Sequence, residues 1–312
     1  MQRVIAGMAW VMRRTLGVSG AEAVTVAANV LVGQTEAPLC VKPLLPRLTR
    51  SQLMVVMASG FATIAGSVFA GYIEFLGGDD ELRRTLFAKH LMTASLMSAP
   101  AAFVMAKIIL PETEEEPAET RPNEVAVERP AANAIDAVVL GASDGLRLAL
   151  NVGAMLIAFI AILALLDWPI ELLGDWRPIA EWRTGHGYGP WSIQGGLGLL
   201  FRPVAWLIGA PSADVDAIGR LLATSVVATE FVAYLDLSAL IEANAISERG
   251  TIVVAYALCG FANIPSLAIQ VGGLSAIAPT RRAEISAIAP RALAAGILAC
   301  WSTATVAGAF IS

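Results

Sequence analysis

Histidine and cysteine, on which most metal and nucleophile chemistry rests, are nearly missing from this chain: two histidines and three cysteines in 312 residues. His90 and His186 stand alone, and Cys40, Cys259 and Cys300 share no short spacing. With no HExxH, P-loop, nucleophile elbow or dinucleotide fingerprint, the sequence lacks the parts of metal-, phosphate- and triad-based enzymes. The cysteines read instead as small buried apolar residues. Charge is scarce as well. Asp, Glu, Lys and Arg make up 15% of the chain, against about a quarter in soluble domains. A net charge of −5 without a long basic run excludes nucleic acid as a partner. The first residues read as an amphipathic segment bearing Arg3, Arg13 and Arg14, not as an apolar leader with a cleavage site.

What the chain has in abundance is apolar surface: 56% of residues are hydrophobic and the mean hydropathy is +0.67. A membrane is the expected solvent. Crossing a hydrocarbon layer of ~30 Å takes about twenty residues, and residues 53–76, 86–110, 146–166, 252–277 and 289–311 are long enough. Two of these are interrupted, 53–76 by Gly60, Thr63, Gly66 and Ser67, and 252–277 by Gly260, Asn263, Pro265 and Ser266. Backbone freed at such breaks persists at membrane depth only where protein or a wet cavity satisfies it. Residues 21–45 and 221–241 are apolar too, but each contains small polar residues and one carboxylate, Glu36 or Glu230. Each is too short to cross twice and predicts a re-entrant hairpin. A charge at bilayer depth costs at least ~2.5 kcal/mol, so both acids are candidates for function.

Set in order, the halves match: hairpin, broken helix, continuous helix, then the same again after an additional helix. The pattern predicts an all-α membrane protein of two inverted repeats, with the site of a transporter where they meet. The expected organisation is an amphipathic segment (1–20), a first repeat (21–110), a charged linker (111–134), an intervening transmembrane helix (135–167), an interfacial segment (168–210) and a second repeat (211–312). Lys42, Arg47, Arg50, Arg281, Arg282 and Arg291 should face the cytoplasm and Asp79, Asp80 and Glu81 the outside, with an external C-terminus. Gln194 to Trp206 reads as an amphipathic helix near the outer surface. Structural parts are open to several of these residues. Glu36 could pair with Lys42, Asn29 could cap a backbone break, and Thr63 and Ser67 could bond back to the preceding turn. Glu22 reads as an acid of a first helical turn.

Several stretches resemble the concentrative nucleoside transporter family. They are Gly33-Gln34-Thr35-Glu36-Ala37-Pro38-Leu39, Gly60 to Ser67, Glu230-Phe231-Val232-Ala233-Tyr234-Leu235 and Cys259-Gly260-Phe261-Ala262-Asn263, with Pro203 to Gly209, Gly272-Gly273-Leu274 and Arg281-Arg282. The resemblance implies multi-pass import of nucleosides at the inner membrane by a homotrimer, driven by Na+, or alternatively by H+, with no other cofactor. It implies that Gln34, Thr35 and Glu36 contact the nucleobase, and that Glu230, Asn263 and Ser266 bind the ribose hydroxyls. Phe261 and Val68 would shape the walls, and Asn29, Val32, Thr63 and Ile64 would hold sodium. The chemistry agrees: a carboxylate accepts charge-assisted hydrogen bonds from hydroxyls, and an amide matches the mixed donors and acceptors of a base edge. Ser225, Thr229 and Ile264-Pro265 depart from the family pattern. The N-terminal spans that family members carry have no counterpart, so a fragment, a mis-called start, or a non-transporting homologue is the accompanying expectation.

Overall fold

A computed structural model describes residues 2–114, 132–185 and 191–311, and among them all regular structure is helical. Most of the charged linker lies outside the described residues, as does His186. The N-terminal segment is helix α1 (Gln2–Leu16), and α2 (Gly20–Asn29) follows. A capping box starts α2, with Ser19 and Glu22 exchanging side-chain and backbone hydrogen bonds. Glu22 is buried, and its Oε1 lies 2.7 Å from Lys107 Nζ, so the acid has a structural role in the first turn. After α2 the chain turns at Gly33, whose φ of +112° is a backbone region that side chains with a Cβ rarely enter. The returning arm is two 3-10 helices, Ala37–Val41 and Leu45–Arg47. Pro38, Pro43 and Pro46 remove amide donors too often for an α-helix to form there.

Helix α3 (Arg50–Ala62) begins with a second capping box, Thr49 with Gln52. It stops where Thr63 turns extended at φ −119°, ψ 155°, and α4 (Gly66–Gly77) resumes after Ala65. The continuous helix α5 (Glu81–Ile109) then runs 29 residues, or about 43 Å at 1.5 Å per residue. The second half repeats this order: α9 (Val215–Val227) and α10 (Glu230–Glu242) form a hairpin joined by Ala228 and Thr229. α11 (Glu248–Ala257) and α12 (Ile264–Ile277) form a second broken helix, and α13 (Arg282–Phe310) is again 29 residues long. Asn263 starts α12 by accepting from Ser266 N at 2.8 Å, and Pro265 sits in the first turn, where its missing N–H is harmless.

Between the halves the intervening helix expected over residues 135–167 is α6 (Ala134–Gly174), which runs on at its C-terminal end through Pro169. Helix α7 (Arg177–Gly185) and α8 (Ile193–Leu207) complete this middle section. α6 packs on α7 and α8, and leaves Ile135, Leu146, Leu150, Ile157, Leu165 and Leu172 exposed. Elsewhere the halves share one interior, with α13 packed on α3, α5, α11 and α12.

The two broken helices touch at their breaks. A Cβ on Gly260 would lie 2.7 Å from the Phe61 carbonyl oxygen and 2.6 Å from Cys300 Sγ. Both are closer than van der Waals contact allows, so only glycine lets the chains approach this far. The Cys300 thiol, in turn, is 3.5 Å from the carbonyl oxygens of Ala62 and Cys259, one from each break. Cys259 and Cys300 are buried and unbonded to each other, whereas Cys40 is half-buried.

Candidate functional site

Helix breaks expose polar backbone and let short polar side chains face inward, and the expected site residues collect around the two breaks. Thr229 N-caps α10, accepting from Val232 N at 3.3 Å, and this places Glu230 in the first helical turn, where the helix dipole favours an anion. Glu230 is buried, 4% exposed, and each carboxylate oxygen has one donor. Asn263 Nδ2 donates to Oε2 at 2.5 Å, and the Tyr72 hydroxyl donates to Oε1 at 2.8 Å. A carboxylate oxygen has two lone pairs, so both oxygens can accept one hydroxyl more. Asn263 is bound at both ends of its amide, its oxygen capping α12 and its nitrogen on Glu230. Ser266, in the first turn of α12, is also buried.

Tyr72 was not evident from sequence. It lies in α4, one turn beyond Val68, and is buried with its ring centroid 4.5 Å from that of Tyr234 and 6.4 Å from that of Phe231. A phenol spaced four residues from an expected wall residue is a signal, but an ambiguous one. Its partner lies 158 positions away. Through Tyr72 the acid of the second hairpin is tied to the broken helix of the first half. Phe261 and Val68 are partly buried beside this cluster.

The tip of the first hairpin sits against the first break. Gly66 N donates to Leu31 O at 3.3 Å, and a Cβ on Gly33 would be 3.1 Å from both Ala65 Cβ and Glu36 Oε2. Gln34 is buried and Thr35 partly so, whereas Glu36 is exposed and accepts from Thr35 Oγ1 at 2.8 Å. Pairing with Lys42 does not occur among the described residues; the carboxylate of Glu36 is turned toward the tip, not toward the hairpin base.

Asn29 ends α2 fully buried. Its Nδ2 donates to Ser59 Oγ at 2.7 Å, while its Oδ1 has no donor among the described residues. Thr63 Oγ1 bonds back to Ser59 O at 2.9 Å, so the structural habit foreseen for it is present, with oxygen lone pairs left over. Val32 and Ile64 have apolar side chains and can offer only carbonyl oxygens. A buried acceptor without a donor is the kind of oxygen that a hard cation takes as a ligand. Nothing is described of the Ser67 side chain. Ser59, which sequence reading passed over as part of a small-residue break, is the hub between Asn29 and Thr63.

Comparisons with known proteins bear on the family. Residues 90–308 match the family described as "Na+ dependent nucleoside transporter C-terminus", and residues 1–79 match a "Nucleoside recognition" gate. An "uncharacterized transporter" of Haemophilus influenzae is 38% identical across this whole chain, which spans 71% of that protein. Solute carrier family 28 member 3 of Rattus norvegicus is 38% identical over 99% of this chain, which spans 43% of that protein. Among solved structures, CNTnw in an inward-facing substrate-bound state superposes with a TM-score of 0.86 at 37% identity, covering 100% of this chain and 70% of that one.

Proposed function

This chain belongs to the Na+-dependent nucleoside transporter family, and we propose that it carries nucleosides across a membrane by sodium symport at a site between its two halves. The observation that carries the reading is Glu230, a buried carboxylate held by Tyr72 from one half and Asn263 from the other. Its free lone pairs are suited to ribose hydroxyls, which bond an ionised acceptor roughly twice as strongly as a neutral one. Ser266 stands one turn along α12 from Asn263 and completes the ribose end. Gln34, Thr35 and Glu36 at the first hairpin tip take the base, between walls formed by Val68 and Phe261. Sodium sits at Asn29 Oδ1 with the carbonyls of Val32 and Ile64 and the hydroxyl of Thr63.

The two halves lie in the membrane with opposite orientation and move relative to the flanking helices to expose the site alternately. Lys42, Arg47, Arg281 and Arg282 face the cytoplasm, and the C-terminus lies outside. The family resemblance supports assembly as a homotrimer in the inner membrane. Uptake of labelled uridine and adenosine into proteoliposomes, with sodium and proton gradients imposed separately, tests the reading. Sodium-dependent accumulation is expected. Accumulation that follows only the proton gradient would replace sodium by proton coupling, and none under either gradient would leave a homologue that does not transport.

A further inference from the structure

Two buried amide oxygens near the first break have no use in the structure as it stands. Gln270, on α12, is 1% exposed. Its Nε2 donates to the Met57 carbonyl of α3 at 2.9 Å, and because a carbonyl can only accept, this bond fixes which end of the amide is nitrogen. Gln270 Oε1 is therefore the free end of the amide, and it has no donor among the described residues. Gln34 Oε1, at the hairpin tip, is also buried without a donor. The two side chains are neighbours across Gly60: a Cβ there would overlap Gln270 Nε2 and lie 3.0 Å from Gln34 Cβ. A buried amide oxygen left without a donor is costly, and two on neighbouring side chains call for a donor that enters from outside the protein.

Helical spacing places Gln270 on the ligand side of α12. Asn263, Ser266, Gln270 and Gly273 follow one another at i, i+3, i+7 and i+10, along one face. Asn263 holds Glu230 at one end of this stripe, and a Cβ on Gly273 would touch Thr35 Cγ2 at 3.5 Å near the other. The seven residues from Asn263 to Gln270 span about 10 Å of helix axis, the separation expected between a ribose end and a base end.

We propose that Gln270 is a base-specificity residue, forming with Gln34 a pair of acceptors that selects nucleosides whose base carries an exocyclic amine. An amino group offers two N–H donors, one for each oxygen. A base with a carbonyl at that place offers none and leaves Gln270 Oε1, the free end of an amide fixed by the Met57 carbonyl, without a donor. The proposal rests on the nucleoside-carrier reading above and adds the substrate class to it.

The test measures binding of adenosine and of purine riboside, which lacks only the 6-amino group, to the purified protein. Cytidine and its analogue without the 4-amino group form a second pair. Wild type is expected to favour the amine-bearing member about tenfold, the net worth of two neutral hydrogen bonds at the low end of their range. Gln270→Met, which keeps length but has only a weak sulfur acceptor, should lower the ratio to about threefold, the Gln34 oxygen remaining, while purine riboside binds as before. Equal weakening of both ligands in this variant, an unchanged ratio, or no preference in wild type would each overturn the proposal and leave the carrier reading standing. Failure of wild type to bind any nucleoside would overturn the carrier reading itself, and the proposal with it. Should Gln270→Met not yield monodisperse protein, Gln270→Glu, which keeps an acceptor oxygen, is read instead. The amine preference is expected to persist there, and its loss would overturn the proposal.

Discussion

The Tyr72 hydroxyl donates to Glu230 Oε1 at 2.8 Å across 158 positions of sequence, so the acid of the second hairpin is aimed by a helix of the first half. Hydrogen bonds to a charged group are worth about 1.5–3 kcal/mol each. Tyr72→Phe keeps the ring packed on Tyr234 and removes one such bond, leaving the carboxylate held by Asn263 alone. The expected outcome is a rise of about tenfold in KM for ribonucleoside uptake, with the maximal rate and the thermal midpoint little changed. Kinetics of labelled uptake in proteoliposomes checks this.

Glu230→Gln is the stronger perturbation. It removes the charge that ribose hydroxyls and both protein donors depend on, and it places an NH2 against the Tyr72 hydroxyl or the Asn263 amide. Uptake should fall below detection while insertion into the membrane persists. Near-normal uptake in this variant would remove Glu230 from the substrate site.

Asn29→Ala removes the unpartnered Oδ1 at the end of α2 and frees Ser59 Oγ. If that oxygen is a sodium ligand, stimulation of uptake by sodium at constant pH disappears in the variant. Retained stimulation would assign Asn29 to capping alone. The measurement is initial uptake rate against sodium concentration.

Gly260→Ala inserts a methyl group 2.7 Å from the Phe61 carbonyl oxygen. Backbone there cannot swing aside as a flexible side chain can, so the overpacking is expected to cost about 1–3 kcal/mol. Gly71→Ala is the control, because its Cβ meets nothing within 4 Å. Thermal unfolding in detergent should show a lowered midpoint for the first and a midpoint near wild type for the second.

Topology is tested by single cysteines in a background where Cys40 is replaced by serine. A cysteine near Asp80 should react with a membrane-impermeant thiol reagent from outside, and one near Arg282 only from the cytoplasmic side. Both positions are exposed in the fold. Reversed labelling would invert the orientation argued from the arginine bias.

The breaks were legible in sequence for a simple reason. Thr63, Gly66, Asn263 and Pro265 interrupt apolar runs with residues that end or start helices by local chemistry, and a cap such as Asn263 on Ser266 needs only its own neighbours. The same holds for Glu22 in the first turn of α2, and for α5 and α13, whose length in a membrane follows from hydropathy. The reach of α6 beyond residue 167 was not legible, because Asp167 and Pro169 follow its apolar core and a helix end tolerates them as readily as a loop does.

Partners distant in sequence depend on packing that local pattern does not encode. Tyr72 and Gln270 sit in helices whose apolar and small residues are compatible with many rotations, and only the crossing of α4 over α10, and of α12 over α3, brings one to Glu230 and the other to Met57. Glu36 illustrates the converse: its charge marked it in sequence, but whether it turned to Lys42 or to Thr35 was decided by the tight turn at Gly33 and the prolines of the returning arm. Sequence alone therefore determined the membrane class, the repeated order of elements and where the helices break, since these rest on composition and on contacts within a few residues. Tertiary structure decided which polar atoms meet at those breaks, because a buried hydrogen bond forms only where close packing brings donor and acceptor within about 3 Å, and that distance is set by the whole interior.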